Sequence, residues 1–230
     1  MILKLSGKLQ KIDLQLFGGR GTDSSSGRYG GGAGLKESDI VDTRELVTTR
    51  AEHQAETDEL LGTARDFRDK YGDDGITEEL QLATLKPSAQ TAMAYCDSNG
   101  NVAFNETYFD KKKLTTAYDA CVKSGFHPGR GNKTAVQAVA AHELGHHINN
   151  KLAARLGKDS DALATEICNA ARKQTKHRGV VQMENKISRY ASSNNKEAIA
   201  EAMADVYCNG KKAKRESIAI VNVIDSYYKK

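Results

Sequence analysis

"AAHELGHHINN", residues 140–150, places three histidines and one glutamate within six positions of a 230-residue chain that holds six histidines in all. His142, Glu143 and His146 form HExxH, and that spacing has a mechanical reading. Residues four apart on an α-helix lie one turn apart and differ by about 40° in direction, so two imidazoles can chelate one ion. Zinc accepts neutral imidazole nitrogens in a tetrahedral site, and a catalytic zinc keeps one position open for water. Glu143 points into the neighbouring sector, outside the ligand pair but within reach of that water, which suits a general base. His147 lies about 100° around the helix from His146, cannot share the ion, and is expected behind the ligands or at the surface.

HExxH alone is a weak signal, so its surroundings matter. Val136, Val139, Ala140, Leu144 and Ile148 give the stretch an amphipathic helical pattern, with Thr134 or Asn132 available to cap it. Gly145 costs such a helix about 1 kcal/mol relative to alanine, which calls for a packing or access reason. A third ligand is offered by "SRYASSNNKEAIAEAMADVYCNG", residues 188–210, where Glu197, Glu201 and Asp205 recur every four residues. Alanine, isoleucine and methionine fill the gaps between these acids, so the face is not a solvated stripe alternating with lysine or arginine. Spacing leaves two pairings open: Glu197 with Glu201, or Glu201 with Asp205. In each, one acid binds metal and the other orients a histidine.

HELGH followed by YxxxxxxExxxE, Tyr190 through Glu197 to Glu201, resembles the zinc protease domain of anthrax lethal factor and its relatives, over roughly residues 90 to 210. The resemblance implies a zincin-like metallopeptidase of the gluzincin type. His142, His146 and Glu197 would be zinc ligands, Glu143 the catalytic base and Tyr190 a hydroxyl that stabilises the oxyanion. Glu201 would stand beside the ligands, with Asp205 next along the same face. A thermolysin-like ExxxD at Glu201 and Asp205 would make Glu201 the ligand instead. Zinc proteases of this broad class bind substrate as an added strand on a sheet edge ahead of the HExxH helix.

The remaining pattern predicts an α+β fold, a predominantly helical domain over residues 35–230 with a small hairpin or sheet before the motif helix. A hydrophobic share of 39 % is enough for one core. "TAMAYCDSNGNVAFNE", residues 91–106, places two strand-like runs around Asn99-Gly100, the dipeptide of a two-residue type I′ turn, in the right chain order to offer the substrate edge. Charge spacing predicts one or two surface helices over 39–70, and further helices suit 110–124, 159–173, 195–208 and 214–228, with Gly210 as a stop. Residues 18–34 are glycine- and serine-rich and read as a flexible linker behind an arm of residues 1–17, whose "KIDLQLF" suits strand addition to a partner. His53, His127 and His177 have no partner at ligand spacing and read as ordinary polar residues, and the basic 171–179 as a solvated loop.

Composition narrows the function. With 34 basic and 30 acidic residues the net charge is +4, too weak and too mixed for a nucleic-acid partner. The four cysteines form no CxxC pair, which argues against a zinc knuckle or a disulfide framework and for a reducing, cytoplasmic compartment. No apolar run suits a membrane span or secretory signal, so a membrane partner is not expected. "KIDLQLFGGRG" with the following Ser/Gly run resembles the starts of structural and head-assembly proteins of tailed phages and prophages of Gram-positive bacteria. That resemblance implies an arm attached to phage structural proteins and a virion-associated location. The expected partner of the main domain is a protein or peptide substrate. Two other readings stay open: a phage structural or assembly protein with a non-catalytic zincin fold, and a toxin-like protease acting on a host protein.

Overall fold

The computed structural model describes residues 15–17, 37–46, 51–75, 80–89, 91–97, 100–177 and 180–229. Its elements run β1 (Gln15–Phe17), β2 (Ile40–Glu45), α1 (Gln54–Tyr71), β3 (Leu80–Leu85), β4 (Ala94–Cys96), β5 (Val102–Asn105), α2 (Lys111–Lys123), α3 (Ala135–Arg155), α4 (Ser160–Thr175), α5 (Val180–Ile187), α6 (Asn195–Asn209) and α7 (Arg215–Ser226). The class is α+β, with the sheet strands preceding the motif helix as expected. Among the described residues no helix is long and apolar enough to cross a membrane.

The sheet has five strands in the order β1-β4-β5-β3-β2; β3 and β5 run parallel and the other neighbours antiparallel. The β4–β5 hairpin is closed by Asp97, whose N–H donates to the Asn101 carbonyl at 3.0 Å while its carboxylate accepts the Asn101 N–H at 2.8 Å. Pairing 97 with 101 makes the connection one residue longer than a two-residue Asn99-Gly100 turn, and Gly100 supplies the left-handed φ of 90° that such a connection needs.

Three elements depart from the sequence expectation. Ile40–Glu45 is an edge strand on β3 where charge spacing predicted helix, and the helix begins only at Gln54. Its partner lies some forty residues on, so pairing rather than local pattern sets its conformation. Residues 171–175 belong to α4, not to a loop, and Arg172 is buried in an ion pair with Glu184. In the arm, Gln15–Phe17 pairs antiparallel with β4, Gln15 opposite Cys96 and Leu16 opposite Tyr95, so this strand extends the chain's own sheet. Residues 1–14 and the glycine- and serine-rich 18–34 lie outside the described residues.

Helix α3 is the wall shared by two cores. Val136, Val139 and Ala140 pack with Phe104, Phe109, Leu114 and Tyr118 on the sheet side, while Leu144, Ile148 and Leu152 pack with Ile167, Ile199, Met203 and Ile220 among the helices. A helix apolar nearly all round belongs in an interior, and from Val136 to Asn149 only Gln137 escapes full burial. Its start is fixed locally by a capping box: Thr134 Oγ1 accepts the Gln137 N–H, and the Gln137 side chain accepts the Thr134 N–H. Gly145 has the packing reason its cost demanded. A Cβ there would lie 2.8 Å from Ala200 Cα and 3.1 Å from Met203 Cβ, so its absence lets α6 cross α3 at close to backbone contact.

Candidate metal centre

The close crossing brings the two motifs together. Asn194 caps α6 by accepting the Glu197 N–H at 2.9 Å, which sets Glu197 in the first turn facing the histidines. His142 Nε2 lies 3.1 Å from His146 Nε2 and 3.2 Å from Glu197 Oε2, and His146 Nε2 lies 3.3 Å from the same oxygen. Ligand atoms bound at about 2.0 Å around a tetrahedral ion stand about 3.3 Å apart, so this triangle has the size of one face of a zinc site. All three residues are buried. Both carboxylate oxygens of Glu143 are buried with no hydrogen-bond partner, as expected of a group aimed at something other than its neighbours. Two imidazoles and a carboxylate oxygen match zinc's preferred donors.

The surrounding residues sort by what they touch. Glu201 is turned away from the triangle: its Oε1 accepts from His142 Nδ1 at 2.9 Å and its Oε2 accepts from Ser188 Oγ at 2.6 Å. It is therefore the acid of the three that is hydrogen-bonded to His142 from behind. Tyr190 donates its hydroxyl to Glu197 Oε1 at 3.0 Å, and its ring stacks on His142 at 5.8 Å and on Phe126 at 4.9 Å. Asp205, expected next along the acid face, stands apart: its oxygens accept from Asn209 Nδ2 and from the Lys214 N–H, each under 3 Å, at the junction of α6 and α7. Eight residues of helix carry it about 12 Å along the axis from Glu197, too far to share the site. His147 is fully buried rather than at the surface and donates from Nδ1 to the Gly100 carbonyl at 2.8 Å, tying the hairpin to α3.

Charge balance in the cluster is tight. Burial disfavours the His142 cation, but hydrogen bonds with Glu197 and Glu201 outweigh it and push the imidazole up to about 10. Burial likewise works against the Glu197 carboxylate, yet the charge of His146 and the hydrogen bonds with both histidines hold it down near about 2. Glu143 is pushed up to about 8 by burial, which the neighbouring His142 charge only partly offsets. Tyr190 rises well above its ordinary value through burial and then the Glu197 charge, so its hydroxyl keeps its proton at neutral pH.

One residue of the cluster was invisible in the sequence. His127, read as an ordinary polar residue, is buried and meets Glu201 Oε1 through Nδ1 at 3.0 Å. No spacing rule links positions 74 apart in the chain. His53 and His177 fit their expectation: the first packs edge-on to Phe109 and the second pairs with Glu216. Comparison of the chain with family models, with curated proteins and with solved structures finds no match.

Proposed function

We propose that this chain is a zinc-dependent metallopeptidase in which His142, His146 and Glu197 hold the metal. The observation that carries the reading is the triangle of His142 Nε2, His146 Nε2 and Glu197 Oε2, with the unpaired Glu143 carboxylate next to it on α3. Bound zinc supplies Lewis acidity to a peptide carbonyl and to water. Glu143 takes a proton from the attacking water as the C–O bond forms, then passes it to the leaving amine as the C–N bond breaks. A carboxyl raised by burial is suited to both halves of that transfer. The Tyr190 hydroxyl, protonated and beside the ligands, would turn its one proton from Glu197 Oε1 to the oxygen on which negative charge develops.

An extended peptide lying along β4 would pass beside α3, which supports a protein or peptide as the substrate. The chain's own β1 lies on that edge, so a substrate strand and β1 compete for it. A second reading, zinc held for structure alone, is favoured by the burial itself: His142 and Glu143 are 0 % exposed and Glu197 3 %. One pair of measurements separates the two. Zinc-loaded protein incubated with a proteome-derived peptide library should cleave it, and Glu143→Gln should keep one zinc per chain and lose cleavage. Zinc at full stoichiometry with no cleavage by the unsubstituted chain would favour the structural reading.

A further inference from the structure

His127 sits at the centre of a support that the two motifs do not include. Its side chain is fully enclosed, and its Nδ1 and the Nδ1 of His142 meet the same oxygen, Glu201 Oε1, at 3.0 and 2.9 Å. An ionised carboxylate only accepts hydrogen bonds, so both nitrogens carry protons. A proton on His142 Nδ1 makes Nε2, the atom turned toward His146 and Glu197, the one that can bind metal. The position of Oε1 therefore fixes both the tautomer and the direction of His142.

The His127 ring is itself held on three sides. Tyr118 stacks on it at 5.5 Å, and Phe126 and Tyr190 meet it edge-on at 4.9 and 5.5 Å. The Tyr118 hydroxyl donates to the Pro128 carbonyl at 3.1 Å, anchoring the residue that follows. Upstream, the Gly125 and Phe126 carbonyls accept the Arg189 and Tyr190 N–H groups at 2.9 and 3.1 Å. The loop is thus bonded to the segment that carries Ser188, the other donor to Glu201, and Tyr190, the donor to Glu197. From this geometry we propose that His127 is a positioning residue of the metal centre, holding Glu201 so that Glu201 holds His142 in its ligating orientation.

The inference rests on the zinc reading, and zinc affinity rather than peptidase activity tests it. His127→Ala should weaken zinc about tenfold, the lower end of what outer partners of metal ligands contribute, and should alter the visible absorption of the cobalt-substituted protein. His127→Asn presents an N–H near the Nδ1 position and should recover most of the affinity and the original spectrum. His127→Gln, with its N–H displaced by one bond, should not. Once Glu201 is replaced by Gln, His127→Ala should cost little further, because both act through one carboxylate. Unchanged zinc affinity and cobalt spectrum in the Ala and Gln variants overturns the proposal. So does an Asn variant as weak as Ala, since then only the shape of the ring matters. A chain that binds zinc tightly but cleaves nothing removes the peptidase reading and leaves this one standing; a chain that binds no zinc removes both.

Discussion

At the scale of single residues, chemistry sorted the six histidines better than proximity in sequence did. His146 and His147 are neighbours, yet one faces Glu197 and the other a hairpin carbonyl. In the proposed reaction Glu143 is the residue on which catalysis turns. Glu143→Gln removes the proton acceptor but keeps the volume, and kcat should fall by at least the 10²–10⁴-fold typical of a lost general base, with zinc content unchanged. Initial rates and metal analysis on the same sample check both halves. The titration of His142 gives a second expectation. In the metal-free protein its imidazole is raised from the usual 6.5 to about 10, so it is protonated at neutral pH. That pairing stabilises the metal-free fold fully below pH 6.5 and is lost as pH rises through about 10. Zinc must displace the same proton, so its apparent affinity should increase with pH across that range and its binding should release protons. Calorimetry in buffers of different ionisation enthalpy measures the release; zinc binding with no proton loss at pH 7 would contradict the assignment.

At the scale of elements, the crossing of α3 and α6 sets the spacing of the ligands. Gly145→Ala gains about 1 kcal/mol of helix propensity but drives a methyl to 2.8 Å from the Ala200 backbone, which has to move. Overpacking costs about 1–3 kcal/mol, so the net effect should be destabilising. The urea midpoint should fall, and zinc affinity with it, because α6 carries Glu197. A rise in stability would show that the helices part without strain. The strand β1 makes the next expectation. Alternate residues of an antiparallel strand turn their N–H toward the neighbour, so one of Leu16→Pro and Phe17→Pro removes a bond to β4. That variant should cleave peptides faster than the unsubstituted chain, and equal rates in both variants would show that β1 does not limit access. Element limits were legible wherever a cap is local: Asp110, Thr134 and Asn194 each accept an N–H three residues ahead, and each starts a helix that the sequence predicts. The strands β2 and β3 have no such signature.

At the scale of the whole molecule, the candidate site joins α3, α6, the loop of residues 125–128 and the segment of 188–190, with α3 set between two cores. Removing zinc should therefore loosen more than the site. A ligand at a hundred times its dissociation constant stabilises the folded state by about 2.7 kcal/mol. Calorimetric melting should show a lower Tm in excess chelator, restored by zinc; identical melting with and without zinc would mean that the folded state does not bind it.

The sequence by itself determined the HExxH pair, the helix that carries it with Thr134 as one of two candidate caps, the α+β class and the acid-bearing helix downstream. Each of these depends on residues within a turn or two of one another, where helical geometry alone relates them. The tertiary structure decided which acid completes the triangle, because Glu197, Glu201 and Asp205 are equivalent by spacing and differ only in how far along α6 the crossing with α3 lies. It also decided that His127 belongs to the site and that Ile40–Glu45 is a strand, since the groups that hold them come from distant parts of the chain. Hydrogen bonds and strand pairings of that kind are selected by packing, and no local pattern encodes them.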